Sequence, residues 1–183
     1  MKTDAQLIKE ARTNADAFAE LYERHVRSVH GWFRAHAEPG AAMDLTAETF
    51  AQAACGLRRF RDEAGGSAGP WLFGIAKNLH RRYLERRRVE TVGRRRLGMP
   101  LVTYTSEFDE TDERVSAETL TPDLHAAVNG LPQGQREALE LRVVGELSYR
   151  EVAATLGTSE LAARLRVMRA LGSLAEKLKG ATQ

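Results

Sequence analysis

The sequence predicts an all-α fold, with two small helical domains joined by a flexible linker. Apolar residues recur at helical spacing through most of the 183 residues, and the one stretch that suggests a strand is short, at Leu101–Tyr104. From residue 93 to 121 the helical spacing fails, and glycine, proline, threonine and acidic residues replace it. We therefore predict a first domain over residues 1–92, a linker over 93–121 and a second domain over 122–183.

Three helices are predicted in the first domain. The first begins near Asp16, is broken at residues 38–40, and has an apolar face made of Phe18, Leu21, Tyr22, His25, Val26, Val29 and Phe33. The second runs from about Asp44 to near Phe60 and is expected to bury Leu45, Phe50, Ala54 and Leu57. After a glycine-rich loop at residues 65–70, Pro70 suits the first turn of a third helix. The expected inward residues of that helix are Trp71, Leu72, Ile75, Leu79 and Tyr83.

The second domain contains a predicted helix-turn-helix at residues 149–168. Ser148 and Glu151 form an S-x-x-E capping box for its first helix, and Gly157 suits the positive φ of the turn. Ser159 is the expected N-cap of the second helix. The small residues that allow the helices to cross are Ala153 and Ala163. Because a helix presented in this way fits the DNA major groove, nucleic acid is the leading candidate partner.

Charge is distributed unevenly along the chain. The net charge is only +2, yet residues 81–96 hold eight arginines against two glutamates, a local charge of +6. Residues 106–118 carry six acidic residues against one arginine. A dense cationic run on a helix favours contact with a phosphate backbone.

Several classes of protein are disfavoured by what the chain lacks. Cys55 is the only cysteine, which excludes an intramolecular disulfide and a cysteine-based zinc site, and we expect it to be a buried, inert thiol. The five histidines have no convincing metal-ligand spacing, and neither a phosphate-binding glycine loop nor a nucleophile elbow occurs. We therefore expect no enzyme activity, metal or cofactor. Without an apolar run of membrane-spanning length, the chain is expected to be cytoplasmic.

Four motifs, in order, resemble those of bacterial RNA polymerase sigma factors of the extracytoplasmic-function (ECF) group. Residues 16–22 resemble D-A-F-x-x-L-Y, residues 44–50 resemble D-L-x-Q-E-x-F, and residues 71–78 resemble W-L-x-x-I-A-x-N. Residues 131–141 are similar to L-P-x-x-x-R-x-x-x-x-L, and the helix-turn-helix follows them. Each motif is weak alone, but four in the correct order are specific.

The resemblance implies binding to core RNA polymerase through its β′ clamp helices and β subunit. The positions that match the clamp-binding helix are Asp44, Leu45, Glu48 and Phe50. Two carboxylates at i, i+4 place negative charge on one face of a helix, which suits a basic partner surface. An anti-sigma factor is a common partner in this family, although no residue identifies one here.

The resemblance also implies contact with promoter DNA. The glycine-rich stretch at residues 65–70 and the following helix match the part that captures the minus-ten element, where an unstacked base requires a pocket and a cationic track. The candidate residues for that track are Lys77, Asn78, Arg81, Arg82 and Arg86, with Arg87 and Arg88 extending it. On the minus-thirty-five reading helix the candidates are Ser159, Glu160, Ala162, Arg164, Arg166 and Arg169. At Trp71 we favour burial in the core over stacking on a base.

The reading helix departs from the pattern of the family. Ala162 replaces the customary threonine and cannot donate a hydrogen bond to DNA, while Ala47 and Arg82 replace glutamine and aspartate. The expected core-facing stripe is Ala163, Val167, Ala170, Leu171, Leu174 and Leu178. A second apolar stripe, made of Leu161, Leu165 and Met168, packs on a protein partner or within the domain; burial of this stripe in the free protein would exclude a partner.

The length of the linker gives a mechanical argument. In such a factor the two promoter elements are about two and a half helical turns apart, or roughly 85 Å. A relaxed chain of 29 residues spans only ~30 Å, whereas a fully stretched one reaches ~100 Å. Polymerase is therefore expected to hold the linker extended.

Two other readings of the chain stay open. A stand-alone helix-turn-helix regulator with a dimerising first domain would bind a symmetric DNA site tightly without polymerase. A sigma-like, protein-binding relative that has lost promoter recognition is compatible with the altered reading helix.

Overall fold

The computed structural model describes residues 2–97, 99 and 122–181, which form two compact helical units. The first unit contains α1 (Asp4–Glu10), α2 (Ala15–Arg34), α3 (Pro39–Gly56), a 3-10 turn (Leu57–Arg59) and α4 (Gly69–Arg96). The second unit contains α5 (Pro122–Asn129), α6 (Gln133–Val143), α7 (Tyr149–Leu156) and α8 (Glu160–Ala181). No strand occurs among these residues. The predicted all-α fold with two domains is confirmed.

The first unit is built around the packing of α2, α3 and α4 on one another. Its fully buried large side chains come from α1, α2 and α4, and are Leu7, Ile8, Leu21, Val29, Phe33, Leu72 and Phe73. Of the apolar face predicted on α2, Leu21, Val29 and Phe33 are buried, while Tyr22 is 41% exposed. Trp32, which was not predicted, joins this core and meets Phe73 edge to face.

Helix α1 was not predicted, although its start has a recognisable signature. Thr3 accepts a hydrogen bond from the Gln6 backbone, and the Gln6 side chain accepts one from the Thr3 backbone, so a capping box begins the helix. The helix packs on α2 through the buried Leu7 and Ile8. At seven residues it is too short to be stable alone, so tertiary packing stabilises it.

Helix α3 begins five residues before its predicted start at Asp44. Pro39 stands in its first turn, where the missing N–H costs nothing, so the residue read as a breaker begins the helix. The predicted burial of Ala54 and Cys55 is wrong, because both are exposed. Ala53 is the buried residue, and successive residues differ by about 100° around a helix, which turns Cys55 away from the core.

Helix α4 begins at Gly69 with Pro70 in its first turn, as predicted, and continues to Arg96, four residues into the predicted linker. Trp71 is half-buried rather than fully in the core, and its ring lies against Phe60 at 5.3 Å between centroids. Ile75 and Tyr83 are also half-buried, while Phe73 and Ala76 are inward residues that were missed. The strand suggested at Leu101–Tyr104, the acidic run at 106–118 and most of the linker lie outside the described residues.

The helix-turn-helix has the predicted local structure. Ser148 and Glu151 make both bonds of the capping box, and Gly157 ends α7 with φ of 59°. Ser159 accepts a hydrogen bond from the Ala162 backbone at the start of α8. Ala153 and Ala163 are buried where α7 packs on α8.

Helix α8 is the centre of the second unit, because α5, α6 and α7 all pack on it. Its buried stripe contains four of the predicted residues, Ala163, Val167, Ala170 and Leu174. The prediction for Leu171 is wrong: it is 51% exposed, because it lies about 100° beyond Ala170 around the helix. The side chain of Leu178 lies outside the described part of the chain.

The part of the chain that the structure describes has neither a membrane-spanning helix nor a cluster of metal-ligating side chains. None of its helices is long and apolar enough to cross a membrane. Likewise, no three of its histidine, cysteine, aspartate or glutamate side chains come together in a group that could hold a metal ion.

Candidate nucleic-acid interface

A cationic track lies on the half of α4 that extends past the core. Leu79 is the last buried residue of this helix, and residues 84–90 are all exposed. Asn78, Arg82 and Arg86 follow one line at i, i+4 and i+8, and the predicted residues on the adjacent line are Lys77 and Arg81. From residue 77 to 86 the track is ~13 Å long. Arg81, Arg82 and Arg86 are exposed and make no ion pair with another described residue.

The remaining arginines of α4 are not equivalent to those of the track. Arg87 makes an ion pair with Glu38 at 2.6 Å, and it also donates a hydrogen bond to the Tyr83 hydroxyl at 3.1 Å. These contacts raise the pKa of Arg87, with the bond to Tyr83 as the largest cause. Arg94 pairs with Glu90 one turn earlier. These two side chains are held by the protein itself, which leaves them less able to reach DNA than Arg81 and Arg82.

An acidic surface faces the track across a groove between α3 and α4. We call it the α3–α4 groove; its charged lining is Asp44 and Glu48 from α3, with Arg82 and Arg86 from α4. Asp44 is exposed and makes no hydrogen bond or ion pair with another described residue, while Glu48 accepts a hydrogen bond from Gln52 at 2.8 Å. Some of the residues predicted for polymerase and some of those predicted for DNA on α4 therefore share one groove.

The other two residues predicted to bind polymerase differ in accessibility. Leu45 is half-buried and lines the α3–α4 groove. Phe50 is only 4% exposed and packs edge to face on Tyr22, with 4.7 Å between ring centroids. The expected burial of Phe50 is therefore confirmed and its side chain belongs to the core, while its contact with polymerase stays a prediction that this burial does not favour. Asp44, Leu45 and Glu48 remain accessible on α3.

The loop before α4 has an exposed rim and a buried floor. We call residues 61–68 the glycine loop. Its rim contains the exposed residues 61–63 and Gly65, whereas Ala64, Gly66 and Ala68 are buried. The Asp62 carboxylate accepts hydrogen bonds from the backbone N–H groups of Ala64 and Gly66, at 3.3 and 2.7 Å. Gly65 and Gly66 have φ of 68° and 96°, which favours glycine at both positions.

Helix α1 lies beneath the glycine loop and is bonded to it. The Ala5 backbone N–H donates to the Gly66 carbonyl at 3.0 Å. The Asp4 carboxylate accepts from the backbone N–H of Ala68 at 2.9 Å, directly before α4. It also accepts from Arg24 at 3.0 Å and contacts His25 Nε2 at 2.6 Å. Asp4 therefore joins α1, α2 and the start of α4.

The ionisation of Asp4 follows from this environment. Burial of the carboxyl group by itself would raise its pKa. Hydrogen bonds from His25, from the Ala68 backbone and from Arg24 outweigh that effect and lower the pKa of Asp4 to about 2. The carboxylate is thus charged at neutral pH, although Asp4 is only 9% exposed.

The outward face of α8 is apolar. Leu161, Leu165 and Met168 are 67%, 40% and 60% exposed, so packing within the described part of the second unit is excluded for this stripe. At about 100° per residue these side chains lie on the side opposite the buried Ala163 and Val167. The surface that points away from the second unit therefore offers methyl and methylene groups rather than hydrogen-bond donors.

The predicted DNA-contacting residues of α8 flank this apolar face on two sides. Arg166 and Arg169 lie on one flank, together with the half-buried Ala162. On the other flank Arg164 pairs with Glu160 at 3.4 Å. Ser159 is exposed, but its hydroxyl caps the helix.

A tyrosine that was not predicted fixes one of these arginines. The Arg164 guanidinium lies over the Tyr149 ring at 5.0 Å, and Arg142 lies over the same ring at 5.2 Å. The resulting cation–π contacts hold Arg164 at the start of α7, on the surface of the helix-turn-helix. In the sequence, a tyrosine at the first position of α7 is the only sign of this cation–π contact. Which arginines lie over its ring depends on how the helices pack. Asp4 was missed in the same way, with only the T-x-x-Q capping pattern to indicate α1.

Comparison with known proteins gives two family matches. Residues 21–90 match the model of sigma-70 region 2, and residues 122–174 match that of sigma-70 region 4. The matched ranges cover most of α2 to α4 in the first unit and most of the second unit.

Similar full-length proteins agree with these matches. The chain is 34% identical over 165 residues to the RNA polymerase sigma factor CarQ of Myxococcus xanthus, covering 89% of this chain and 90% of CarQ. It is 30% identical over 177 residues to the ECF RNA polymerase sigma factor SigK of Mycobacterium tuberculosis, covering 93% of this chain and 90% of SigK.

Solved structures of similar fold are also known. One is CnrH in complex with the cytosolic domain of CnrY, with a TM-score of 0.62, 23% identity and 97% coverage of both chains. Another is the sigma factor RpoE of Bartonella quintana in complex with the anti-sigma factor NepR, with a TM-score of 0.58 and 23% identity, covering 88% of this chain and 96% of RpoE.

Proposed function

Because this chain belongs to the sigma-70 family of RNA polymerase sigma factors, within its ECF group, we propose a specific division of labour between its two units. As a sigma factor, the chain directs transcription initiation. In our proposal the first unit binds core polymerase and captures the minus-ten element, and the second unit contacts the minus-thirty-five region. The observation that carries it is the row of exposed arginines on α4 that make no ion pair with another described residue, on the helix that directly follows the glycine loop.

The proposed minus-ten contact combines the glycine loop with the cationic track of α4. Arg81, Arg82 and Arg86 are free to bind phosphate, and their planar guanidinium groups can each donate two hydrogen bonds to it. The exposed rim of the glycine loop stands before the helix, where an unstacked base would be received. Lys77 and Asn78 lie between the loop and these arginines along the chain, so they would contact the nearer nucleotides.

The proposed polymerase contact is the acidic surface of α3. Asp44 and Glu48 are exposed at i, i+4, and Leu45 provides apolar area beside them. Such a surface suits a basic helical partner, and in this family the corresponding partner is the β′ clamp helices. Contacts to the β subunit are proposed for the second unit.

We propose that the outward apolar face of α8 contacts a protein. Leu161, Leu165 and Met168 cannot donate hydrogen bonds to base edges, and an exposed apolar stripe of this kind favours a protein surface. The β subunit and an anti-sigma factor are the two candidates. The flanking Arg166 and Arg169 would then bind phosphate, which gives affinity for DNA but little sequence preference.

The linker is proposed to act as an extended tether held by polymerase. Its start, predicted at residue 93, moves to the end of α4 at Arg96. Its end stays where it was predicted, at residue 121. A chain of this length cannot span the two promoter elements when relaxed. The free protein should therefore bind a complete promoter poorly. A stand-alone regulator would not need polymerase, and the family matches do not favour that reading.

Run-off transcription tests this division of labour. Purified core polymerase, with and without the chain, is given a library of promoters with randomised minus-ten and minus-thirty-five elements. We expect discrete start sites only when the chain is present. Binding to core without stimulation on any template would refute the promoter contacts and favour a protein-binding relative.

The polymerase contact needs a separate measurement. The double variant Asp44→Ala/Glu48→Ala should weaken binding to core about tenfold or more, because truncating charges at an interface typically costs 1–3 kcal/mol or more. The matched control is Glu23→Ala/Glu63→Ala, which removes the same charge from exposed positions elsewhere on the unit. Equal affinities of the two double variants in fluorescence anisotropy would contradict the assignment.

A further inference from the structure

The glycine loop depends on α1 for its shape. Asp62, on the rim, accepts hydrogen bonds from Ala64 and Gly66 of the buried floor. The floor is also bonded to α1. The Gly66 carbonyl accepts from Ala5, and the Ala68 N–H donates to Asp4. Two of the three floor residues are therefore held by an element that precedes the matched family segment, which begins at residue 21.

Close packing adds to these bonds. A Cβ placed on Gly66 would lie 3.1 Å from Thr3 Cβ, closer than ordinary van der Waals contact. Gly66 also has φ of 96°, which other residues rarely adopt. The floor of the loop therefore fits against the start of α1 with no room for a side chain.

Asp4 is itself held from two directions. Arg24 donates to one carboxylate oxygen, while His25 and the Ala68 backbone contact the other. Arg24 and His25 belong to α2, whose apolar residues pack in the core of the unit. Both oxygens of the carboxylate are therefore bonded, and one of them holds Ala68, the residue directly before α4.

The bond from Ala68 to Asp4 lies at the N-terminus of α4. Ala68 is the N-cap residue of α4, and its own side chain cannot accept a hydrogen bond there. Asp4, 64 residues earlier in the chain, supplies a negative charge at this helix terminus, where the helix dipole favours it. The last residue of the loop is thus held at the start of α4 by a buried carboxylate.

We propose that Asp4 and α1 act as positioning elements for base selection in the minus-ten element. This inference rests on the proposed function of the glycine loop as the site that receives an unstacked base. A pocket discriminates between bases only when its walls are held in place, since small displacements remove the hydrogen bonds that distinguish one base from another. Asp4 does not touch DNA in this proposal; it acts through the loop.

The test uses holoenzyme and a promoter library randomised in the minus-ten element, with transcripts sequenced to give the base preference at each position. Asp4→Asn and Gly66→Ala disturb the loop floor by different means. Val29→Ala is the control, because Val29 is fully buried in α2 and lies outside the Asp4 network. All variants are assayed at a temperature where tryptophan fluorescence reports a folded first unit. If Asp4→Asn does not stay folded, Gly66→Ala still tests the inference, because it disturbs the loop floor and keeps Asp4.

The two loop variants should lose about tenfold in preference for the favoured base at one or two adjacent positions, because single mismatches typically cost that much. Preferences elsewhere in the element should persist. Val29→Ala should lower transcript yield while keeping every preference. A uniform loss of yield in all three variants would overturn the inference and leave the sigma-factor function intact. No specific transcripts from the wild-type chain would instead refute the proposed function itself.

Discussion

Replacing Asp4 with asparagine should lower the free energy of unfolding of the first unit by about 2 kcal/mol at pH 7. The carboxyl pKa is 3.8 in its ordinary environment and about 2 in the folded unit. One pKa unit corresponds to ~1.4 kcal/mol, so the charged form contributes roughly 2 kcal/mol to folding. Asparagine would also turn an N–H₂ group toward a site whose neighbours are donors, which adds to the loss.

The pH dependence distinguishes this charge effect from lost packing. Because the folded pKa lies below the unfolded one, the stabilisation is complete above about pH 4 and disappears as the pH falls through about 2. The difference between wild type and Asp4→Asn should therefore begin to shrink near pH 4 and fall steadily to about pH 2. Below that range the two proteins should differ only by the cost of the misplaced amide.

Urea denaturation followed by tryptophan fluorescence measures this difference. Both tryptophans, Trp32 and Trp71, are in the first unit, so the signal reports that unit alone. Asp44→Asn is the matched control, since Asp44 is exposed and makes no bond with another described residue. A difference that stays constant between pH 7 and pH 3, or one equal to that of Asp44→Asn, would refute the reasoning.

Three further predictions concern the DNA track, the helix-turn-helix and the outward face of α8. Arg81→Ala/Arg82→Ala should reduce the salt dependence of single-stranded DNA binding by holoenzyme by about 1.4 in log–log slope, since each phosphate contact contributes ~0.7; an unchanged slope would show that these arginines do not meet phosphate. Gly157→Ala should destabilise the second unit by about 1 kcal/mol, because the φ of Gly157 is 59°. Gly172→Ala should instead stabilise it by up to ~1 kcal/mol, because Gly172 lies within α8 and the added methyl group meets no neighbour. Thermal unfolding followed by circular dichroism measures both changes in stability, and changes of the same sign would contradict the turn geometry. Leu165→Glu should leave that unfolding transition in place but weaken binding of the second unit's protein partner, tested first with core polymerase; loss of folding instead would mean that the stripe is structural.

Much of the fold could be predicted from the sequence because large apolar residues mark the buried faces of the long helices. Val29, Phe33 and Leu72 lie where the helical period places them. An alanine gives a weaker signal, because it is common on both faces of a helix, and the fully buried Ala42 and Ala76 were missed. The error at the start of α3 arose because proline both breaks helices and begins them, and the choice depends on what precedes it.

The candidate site was predictable only in part, for a similar reason. The dense run of arginines on α4 identified a cationic track, because that depends on one helix alone. The α3–α4 groove depends on how two helices pack, which residue spacing does not specify. The same is true of Asp4, whose bond to Ala68 joins residues 64 positions apart. The capping box and Gly157, which are local sequence signals, located α7. The role of α1 depends instead on the long-range bond between Asp4 and Ala68.

The α3–α4 groove limits what single substitutions can reveal. Its two walls carry opposite charges, so removing Asp44 makes the electrostatic potential at Arg82 more positive, and removing Arg82 makes that at Asp44 more negative. A variant designed to weaken the polymerase contact of α3 will therefore also change the electrostatic potential at the DNA contact of α4, and the reverse holds for a variant of α4. Separating the two activities genetically will require charge-neutral replacements or paired exchanges that keep the sum across the cleft constant.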